Sequence, residues 1–318
     1  MRIGLMVGAE RGRHSGKVPR LRADGAWAEE AGLSSVWIPQ VPDDFDALTM
    51  ATLIGEATSR IEVGTAVVPV QPRHPVALAQ QALSVQAVCE GRLCLGLGVS
   101  HHWIIEEMLG IPYESPVETM RCYLDVLDRA FSGPGPVDVE NSLFCVHNPL
   151  DITDVAPTPV LLAALGPAML RLAGERADGT ILWMADERAI EGHVVPSITR
   201  AACAAGRPAP RVVAGIPVCC CLESEVEAAV ERANRVLAEA EVSPNYQRLL
   251  EHGDARLVGD LLAAGSESAI EKRFRSFADA GSTDLSLRIL AIGESREERL
   301  ESMARTRECV ASLASSRK

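Results

Sequence analysis

The sequence predicts an α/β protein built as a (β/α)8 barrel, the TIM-barrel architecture. Short β-branched runs bounded by Gly or Pro alternate with stretches whose apolar residues recur every three or four positions, which is the pattern of strand–helix units. Several of the runs, such as 211–221, are apolar almost throughout, as expected when helices cover both faces of a parallel sheet. Eight such units in a row predict one barrel domain over residues 1–318.

Each unit is assigned from an apolar run followed by a helical pattern. The predicted strands are 2–7, 35–39, 61–69, 92–99, 159–164, 179–183, 211–221 and 284–290. The predicted helices are 20–31, 45–59, 75–89, 116–131, 167–176, 186–205, 223–241, 244–263, 266–280 and 294–314.

Two segments interrupt this alternation. Residues 133–157, rich in Pro, Asn and Asp, form an insertion before the fifth strand, and 244–263 form a second one before the eighth. A long segment of the first kind in a compact domain is often a lid or a binding loop. We therefore expect 133–157, together with the loops 40–45 and 99–115, to line a substrate pocket at the carboxyl ends of the strands.

The composition restricts the classes of function. The net charge of −12 argues against nucleic acid as a partner, because phosphate binding needs a basic face. Apolar runs are too short for a membrane span or a signal peptide. Nine cysteines without paired metal spacing suggest a reducing cytoplasm, and adjacent Cys219, Cys220 and Cys221 point to alternate strand faces, so they cannot converge on one metal ion. No metal site is predicted.

One basic segment stands out on this acidic chain. Arg11, Arg13, His14, Lys17 and Arg20 follow the first strand, and a barrel places that loop at the mouth. The cluster is either an attractor for a small anion or a solvated loop.

The stretch GRLCLGLGVSHH (91–102) ends the fourth strand at the same mouth. It lacks the third glycine of a dinucleotide-binding turn, so that fingerprint is incomplete. The adjacent His101 and His102 do not share one face, which argues against a metal site. The remaining interpretation is that Gly96 and Gly98 let the backbone approach a flat ligand while one histidine faces the mouth.

Three stretches together resemble the bacterial luciferase-like monooxygenase superfamily, and most closely its coenzyme F420-dependent oxidoreductases of actinobacterial type. They are GRLCLGLGVSHH, VGTAVVPVQPRHP (63–75) and PVLLAALGPAMLRLAGERADG (159–179), and the resemblance covers nearly the whole chain. It implies a barrel that binds a flavin or deazaflavin at its mouth, commonly as a homodimer. It also implies a non-prolyl cis peptide at a bulge in the third strand, behind the cofactor ring, here between Ala66 and Val67.

The resemblance implies site residues as well. The family places the cofactor phosphate against a turn that here comprises Leu165, Gly166, Ala168 and Met169. Val99, Ser100 and His101 match positions beside F420. The family's sugar-phosphate dehydrogenases carry a catalytic glutamate where this chain has His101, and an Asp-His pair after the second strand, where this chain has Gln40 and no histidine. That departure disfavours the sugar-phosphate reaction. Gln40 is instead predicted to contact the cofactor, together with Ala66 and Val67.

His101 remains as the acid–base candidate, because imidazole titrates near neutral pH. His102 is the second catalytic candidate, with a structural or substrate-facing role as its alternative. Trp103 either covers the pocket or is a packed loop aromatic. The turn Arg73-His74-Pro75 is mainly architectural, although Arg73 could reach the mouth. Asp43 and Asp44 either orient a substrate or cap the helix that follows.

These observations predict a cytoplasmic F420-dependent oxidoreductase that passes a hydride between the deazaflavin and a small organic substrate, with His101 transferring the proton. The basic segment would receive the oligoglutamate tail of F420. The nearest alternative is an FMN-dependent monooxygenase that needs a reductase partner. A non-catalytic flavin-binding protein and an unrelated barrel enzyme, such as a phosphosugar isomerase, remain open.

Overall fold

The computed structural model describes residues 1–9, 14–237 and 243–316, and its central strands form the predicted closed parallel barrel. The strands are β1 (Arg2–Met6), β2 (Ser35–Ile38), β3 (Glu62–Thr65), β4 (Val68–Pro69), β5 (Leu93–Gly98), β6 (Val137–Glu140), β7 (Cys145–Asn148), β8 (Val160–Leu162), β9 (Gly179–Trp183), β10 (Arg211–Cys220), β11 (Ala263–Gly265) and β12 (Asp284–Ile289). The strand order is β1-β2-β3-β5-β8-β9-β10-β12, and β12 pairs back onto β1 to close the barrel.

Helices surround the barrel as the apolar periodicity predicts. They are α1 (Lys17–Glu30), α2 (Ala47–Glu56), α3 (Pro75–Val88), α4 (Pro116–Phe131), α5 (Pro167–Arg176), α6 (Glu187–Ala189), α7 (Val195–Ala204), α8 (Val226–Leu237), α9 (Pro244–Leu250), α10 (Glu267–Asp279) and α11 (Arg296–Ser315). None of the helices described is both long and apolar enough to cross a membrane. The end of the predicted helix 223–241 lies partly outside the described residues.

The single helix predicted over 244–263 is wrong. The segment forms the short helix α9, an irregular stretch, a 3-10 turn over Val258–Leu261, and β11, which pairs with the end of β10. The physical reason lies at Gly253, where a Cβ would lie 2.3 Å from a carboxylate oxygen of Asp186. That carboxylate accepts the backbone N–H groups of Asp254 and Ala255, and so holds the chain in a non-helical path.

The third barrel strand is interrupted where the family resemblance implies a bulge. The peptide bond between Ala66 and Val67 is cis, as expected. The register pairs Gly64 with Cys94 and Val68 with Leu97. Between these two pairs the third strand therefore has one residue more than β5, and such an extra residue defines a β-bulge.

Thr65 replaces the backbone pairing that the bulge removes. Its hydroxyl donates to the Gly96 carbonyl oxygen at 2.8 Å and accepts the Gly96 N–H at 2.9 Å. A Cβ on Gly96 would lie 1.9 Å from the Thr65 carbonyl oxygen, and one on Gly98 would lie 2.6 Å from a methyl group of Val67. The two glycines therefore make room for the bulge of the protein itself, and their role in the approach of a flat ligand stays a prediction.

The insertion 133–157 folds as an antiparallel β6–β7 hairpin on the outside of the barrel. Val137 and Val146 of its inner face are buried, and Phe144 packs edge-on against Tyr123 of α4 and His74. The hairpin contributes to neither of the two cavities at the barrel mouth. The expectation that this insertion lines the pocket is wrong, because its apolar face is used for packing on the helices.

A carboxylate joins α1 to the start of β3. Glu29 accepts the backbone N–H groups of Ser59, Arg60 and Ile61 at 2.6–3.1 Å. Burial would raise the pKa of this carboxyl, but the hydrogen bonds from Ile61, Arg60 and Ser59 outweigh it and lower the pKa to about 2.

We expect Glu29→Gln to lower the free energy of unfolding at pH 7 by about 2 kcal/mol, because charge-assisted hydrogen bonds are lost. Since the folded-state pKa lies below the unfolded value of 4.5, the contribution is complete above that value and fades as the pH falls towards 2. Urea unfolding at pH 7 and pH 3 should therefore show a smaller difference between wild type and variant at pH 3. The exposed neighbour Glu30→Gln is the control. An equal loss at both pH values would contradict the assignment.

Candidate active site

Two adjoining cavities open at the carboxyl ends of the barrel strands. Their volumes are about 540 Å³ and about 420 Å³. Both are lined by Val67, Ser100, His101, Trp183 and Tyr246, which therefore form the boundary between them. A bound molecule that spans both cavities would pass these five residues.

Two side chains at this boundary can titrate, and burial raises the pKa of Tyr246 to about 12, so His101 is the one suited to proton transfer near neutral pH. Its Nδ1 lies 3.1 Å from the hydroxyl of Ser243, a fully buried residue, and its ring stacks on Trp103 with centroids 4.5 Å apart. Burial lowers the pKa of His101, and the neighbouring His102 lowers it further. The imidazole is therefore neutral at neutral pH, and with Nδ1 engaged by Ser243 its Nε2 is the atom available for proton exchange.

His102 occupies a different environment. Its side chain is exposed and lines neither cavity, and its ring meets Trp103 edge-on. Trp103 also lines neither cavity and packs against both histidines, so of its two alternatives the packed loop aromatic holds.

The loop after β5 is held from several directions. Gln71 donates to the Val99 carbonyl oxygen at 2.6 Å, and the Tyr113 hydroxyl donates to that of Ser100 at 3.3 Å. Ser100 has a φ of 57°, which is uncommon for a residue other than glycine and is found in sites whose surroundings enforce it. These contacts fix the position from which the His101 side chain enters the mouth.

The start of α5 forms one end of the larger cavity. Leu165, Gly166, Ala168 and Met169, the predicted phosphate-binding residues, all line it. Gly166 precedes the helix and provides no side-chain cap, and Pro167 takes the first helical position. The N–H groups of Ala168 and Met169 therefore lack an intrahelical acceptor, and together with the positive helix end they suit an anion.

Two stacked histidines lie beside this helix start. The Nε2 of His193 donates to the Leu165 carbonyl oxygen at 2.9 Å, and the ring of His252 lies parallel to that of His193 with centroids 3.9 Å apart. Both residues line the larger cavity.

The smaller cavity has a mixed lining, in which the polar side chains of Gln40 and Arg288 stand among apolar ones. Gln40, Ala66 and Val67 line it, as the prediction that they contact a cofactor requires. The amide oxygen of Gln40 accepts the N–H of Ala47 at the start of α2, at 3.0 Å, so this side chain also has a structural role. The other apolar lining residues include Pro39, Val41, Pro42, Ile104 and Leu237.

The acidic and basic candidates near the second strand serve the fold. Asp46 caps α2 by accepting the Thr49 N–H at 2.8 Å, and it also pairs with Arg73. The prediction that Asp43 or Asp44 caps this helix is therefore wrong. Neither of those residues lines a cavity, and neither does Arg73.

The predicted basic segment is only partly described. Lys17 is buried, donates to the Gly8 carbonyl oxygen at 3.0 Å and pairs with Asp44. Its charge is therefore compensated within the protein and is unavailable to a ligand tail. Arg11 and Arg13 lie outside the described residues.

Sequence reasoning missed the contribution of the second insertion. Ser243 binds His101, and α9 with the turn after it lines the larger cavity. The sequence offers only a weak signal, the polar run that follows the Ser-Pro helix start, since nothing in its periodicity places it at the mouth. The residues that it adds to the lining are Asn245, Tyr246, Arg248, Leu249, Glu251 and His252.

The two cavities fit a long, flat, anionic molecule. The lining is largely apolar, aromatic side chains stand at the boundary, and the unsatisfied N–H groups of α5 stand at one end. A flavin or deazaflavin has this combination of a planar ring and a phosphate, so the residues present fit the group that the sequence resemblance implies.

Comparison with known proteins finds relatives in sequence and in structure. A putative coenzyme F420-dependent oxidoreductase of Mycobacterium tuberculosis is 29% identical over 197 residues, a match that spans 56% of this chain and 55% of that protein. An F420-dependent secondary alcohol dehydrogenase bound to an F420–acetone adduct superposes with a TM-score of 0.76 at 16% identity, covering 97% of this chain and 98% of that one. The FMN-bound oxygenating constituent of the 3,6-diketocamphane monooxygenase of Pseudomonas putida gives 0.77 at 17% identity and 98% coverage of both.

At these identities the structural matches establish the fold alone. The model of the luciferase-like monooxygenase family matches residues 1–312. Together with the closed parallel barrel, the cis peptide and the apolar mouth, this match shows that the chain belongs to the luciferase-like monooxygenase family.

Proposed function

We propose that the protein is an F420-dependent oxidoreductase that transfers a hydride between the deazaflavin and a small organic substrate. The observation that carries the proposal is the position of His101, a half-buried imidazole at the boundary between a cavity with an anion-binding end and a smaller cavity of mixed lining. The relative named as a putative F420-dependent oxidoreductase and the fold neighbour with an F420–acetone adduct support this class.

Each part of the site has its own role in the proposed reaction. The N–H groups of α5 hold the phosphate, and Ala66 and Val67 form the wall against which a flat ring rests. The cofactor, when bound, supplies the hydride chemistry. The protein supplies the accompanying proton transfer at Nε2 of His101, while Ser243 holds the imidazole in place. The apolar wall of the smaller cavity holds the substrate and excludes water.

Because burial lowers the pKa of His101, the neutral base predominates at neutral pH. That form accepts a proton, so we propose that the site favours oxidation of an alcohol-like substrate under these conditions. The reverse reaction needs the protonated imidazole and is favoured at lower pH.

The first test is a pair of fluorescence titrations of the protein with F420 and with FMN. We expect a micromolar or lower Kd for F420 and a Kd for FMN at least tenfold higher. The opposite preference would replace the proposal with an FMN-dependent monooxygenase that needs a reductase, the chemistry of the Pseudomonas fold neighbour.

A matched pair of variants tests the anion-binding end. A Cβ at Gly166 would meet no atom within 4 Å, so substitution is sterically free. Gly166→Asp places a carboxylate beside the helix start and is expected to raise the Kd of the cofactor at least tenfold by repulsion. Gly166→Ala adds only a methyl group, which can neither cap the helix nor carry a charge, and should leave the Kd within a few-fold. Similar Kd values of the cofactor for both variants would contradict the placement of its phosphate at this turn.

The homodimer and the small-molecule substrate stay predictions. Sedimentation velocity would test the first. Screening alcohols and ketones against oxidised and reduced F420 would test the second.

A further inference from the structure

A cysteine, a histidine and an aspartate lie together on the outer face of the β6–β7 hairpin, apart from both cavities. The register pairs Asp138 with His147 and Glu140 with Cys145, and side chains two positions apart share a strand face. Asp138, Glu140, Cys145 and His147 are all exposed, whereas Val137 and Val146 on the opposite face are buried. This face is not used by the packing of the hairpin on the barrel.

Three of these side chains form a hydrogen-bonded chain. The Sγ of Cys145 lies 3.6 Å from Nε2 of His147, and Nδ1 of His147 lies 3.1 Å from a carboxylate oxygen of Asp138. Since an ionised carboxylate only accepts, the proton of the neutral imidazole sits on Nδ1. Nε2 then presents its lone pair to the thiol, which is the order of groups that activates a nucleophile.

From this geometry we propose that Cys145 is an activated surface thiol that exchanges with low-molecular-weight disulfides. The thiol proton passes to Nε2 of His147 as Sγ attacks one sulfur of the disulfide. A new S–S bond forms at Cys145, the original S–S bond breaks, and the departing thiolate takes up the proton. The small disulfide is the oxidant, and the products are a mixed disulfide and one free small thiol.

The array suits this chemistry better than metal binding. Within the part of the chain that the structure describes, no group of three His, Cys, Asp or Glu side chains is placed to hold a metal ion. The charged groups facing the thiol are His147 on its own strand and Glu140 across the hairpin. Since the imidazole of His147 is the basic group in contact with Sγ, activation depends on His147.

The other cysteines provide internal standards. Burial raises the pKa of the thiols of Cys89, Cys94, Cys219, Cys221 and Cys309, which keeps them protonated. Cys203 near the end of α7 is exposed like Cys145, and no histidine contact is seen for it among the described residues. It is therefore the matched control for an exposed thiol without a base.

The test is the reaction of the folded full-length chain with the aromatic disulfide 5,5′-dithiobis(2-nitrobenzoic acid) at pH 6.5, where an unassisted thiol is almost wholly protonated. Rates at Cys145 and Cys203 are separated with the variants Cys203→Ser and Cys145→Ser, and the modified residue is located by peptide mass spectrometry. We expect Cys145 to react at least tenfold faster than Cys203.

The variants of the array distinguish activation from simple exposure. His147→Gln should bring the rate at Cys145 to that of Cys203 and should restore the steep pH dependence of an ordinary thiol. Asp138→Asn should have a smaller effect in the same direction. Both positions are exposed, so the fold should be retained, which circular dichroism checks. Equal rates at the two cysteines, or an unchanged rate in His147→Gln, would overturn the proposal.

Discussion

Replacing His101 with glutamine is expected to lower turnover by about 10²–10⁴-fold while leaving the Kd of the cofactor nearly unchanged. Glutamine keeps much of the size and polarity of the side chain and can still bond the Ser243 hydroxyl, but it cannot accept or release a proton. The α5 turn that would hold the phosphate is untouched, so binding should persist. Steady-state turnover and a fluorescence titration on the same preparation separate the two effects.

Two neighbouring variants act as controls. His102→Gln changes an exposed imidazole that lines neither cavity, so we expect turnover close to that of the unmodified protein. Ser243→Ala removes the partner of Nδ1 and should lower turnover less than the loss of His101 itself. A larger loss in His102→Gln than in His101→Gln would transfer the acid–base role to His102.

The pH dependence gives an independent measurement of the same assignment. Burial lowers the pKa of His101 below its ordinary value of 6.5, and oxidation needs the neutral base. The kcat/KM for oxidation should therefore rise with pH through a pKa below 6.5 and level off by neutral pH. This rise of kcat/KM with pH should be absent in His101→Gln. Its persistence would show that another group titrates.

The barrel is predictable from sequence because its strands carry a strong signal. Strands such as β5 are buried along their whole length, so their apolar runs differ clearly from the helical periodicity between them. The loops that follow β5 and β8 are then placed at the mouth by the topology alone. This reasoning placed His101 and the α5 turn at the cavities without any knowledge of side-chain contacts.

The two insertions show where such reasoning stops. Both interrupt the strand–helix alternation, and sequence composition favoured 133–157 as the pocket wall. Its alternating Val137, Val139 and Val146 instead form a hairpin face that packs outside the barrel, while the segment from Ser243 onward enters the mouth. Which insertion turns inward depends on tertiary packing, such as the Asp186 carboxylate that holds Asp254 and Ala255.

Arg211→Ala is expected to give the largest loss of stability, about 3 kcal/mol in the free energy of unfolding. The guanidinium of Arg211 donates to both carboxylate oxygens of Glu62, at 3.0 and 3.1 Å, and to one carboxylate oxygen of Asp284, at 2.7 Å. These three residues lie at the amino ends of β10, β3 and β12. Burial alone would lower the pKa of Arg211, but these hydrogen bonds raise it, so the cation persists. The guanidinium also lies 5.8 Å from the ring centroid of Trp37, inside the barrel.

The size of this loss should come from the charges left behind rather than from the missing contacts. Without Arg211, the buried carboxylate of Asp284 keeps Arg2, at 3.5 Å, as its cationic partner, beside the neutral hydroxyl of Thr283 at 2.6 Å. Glu62 loses its two-pronged partner. Adding Glu62→Gln to Arg211→Ala should therefore recover part of the stability, because one uncompensated charge disappears. The more exposed pair of Arg207 with Asp178 is the comparison, and Arg207→Ala should cost less than about 1 kcal/mol. If both arginine variants lost the same amount, and the second substitution recovered nothing, the ion cluster would contribute no more than an ordinary surface pair.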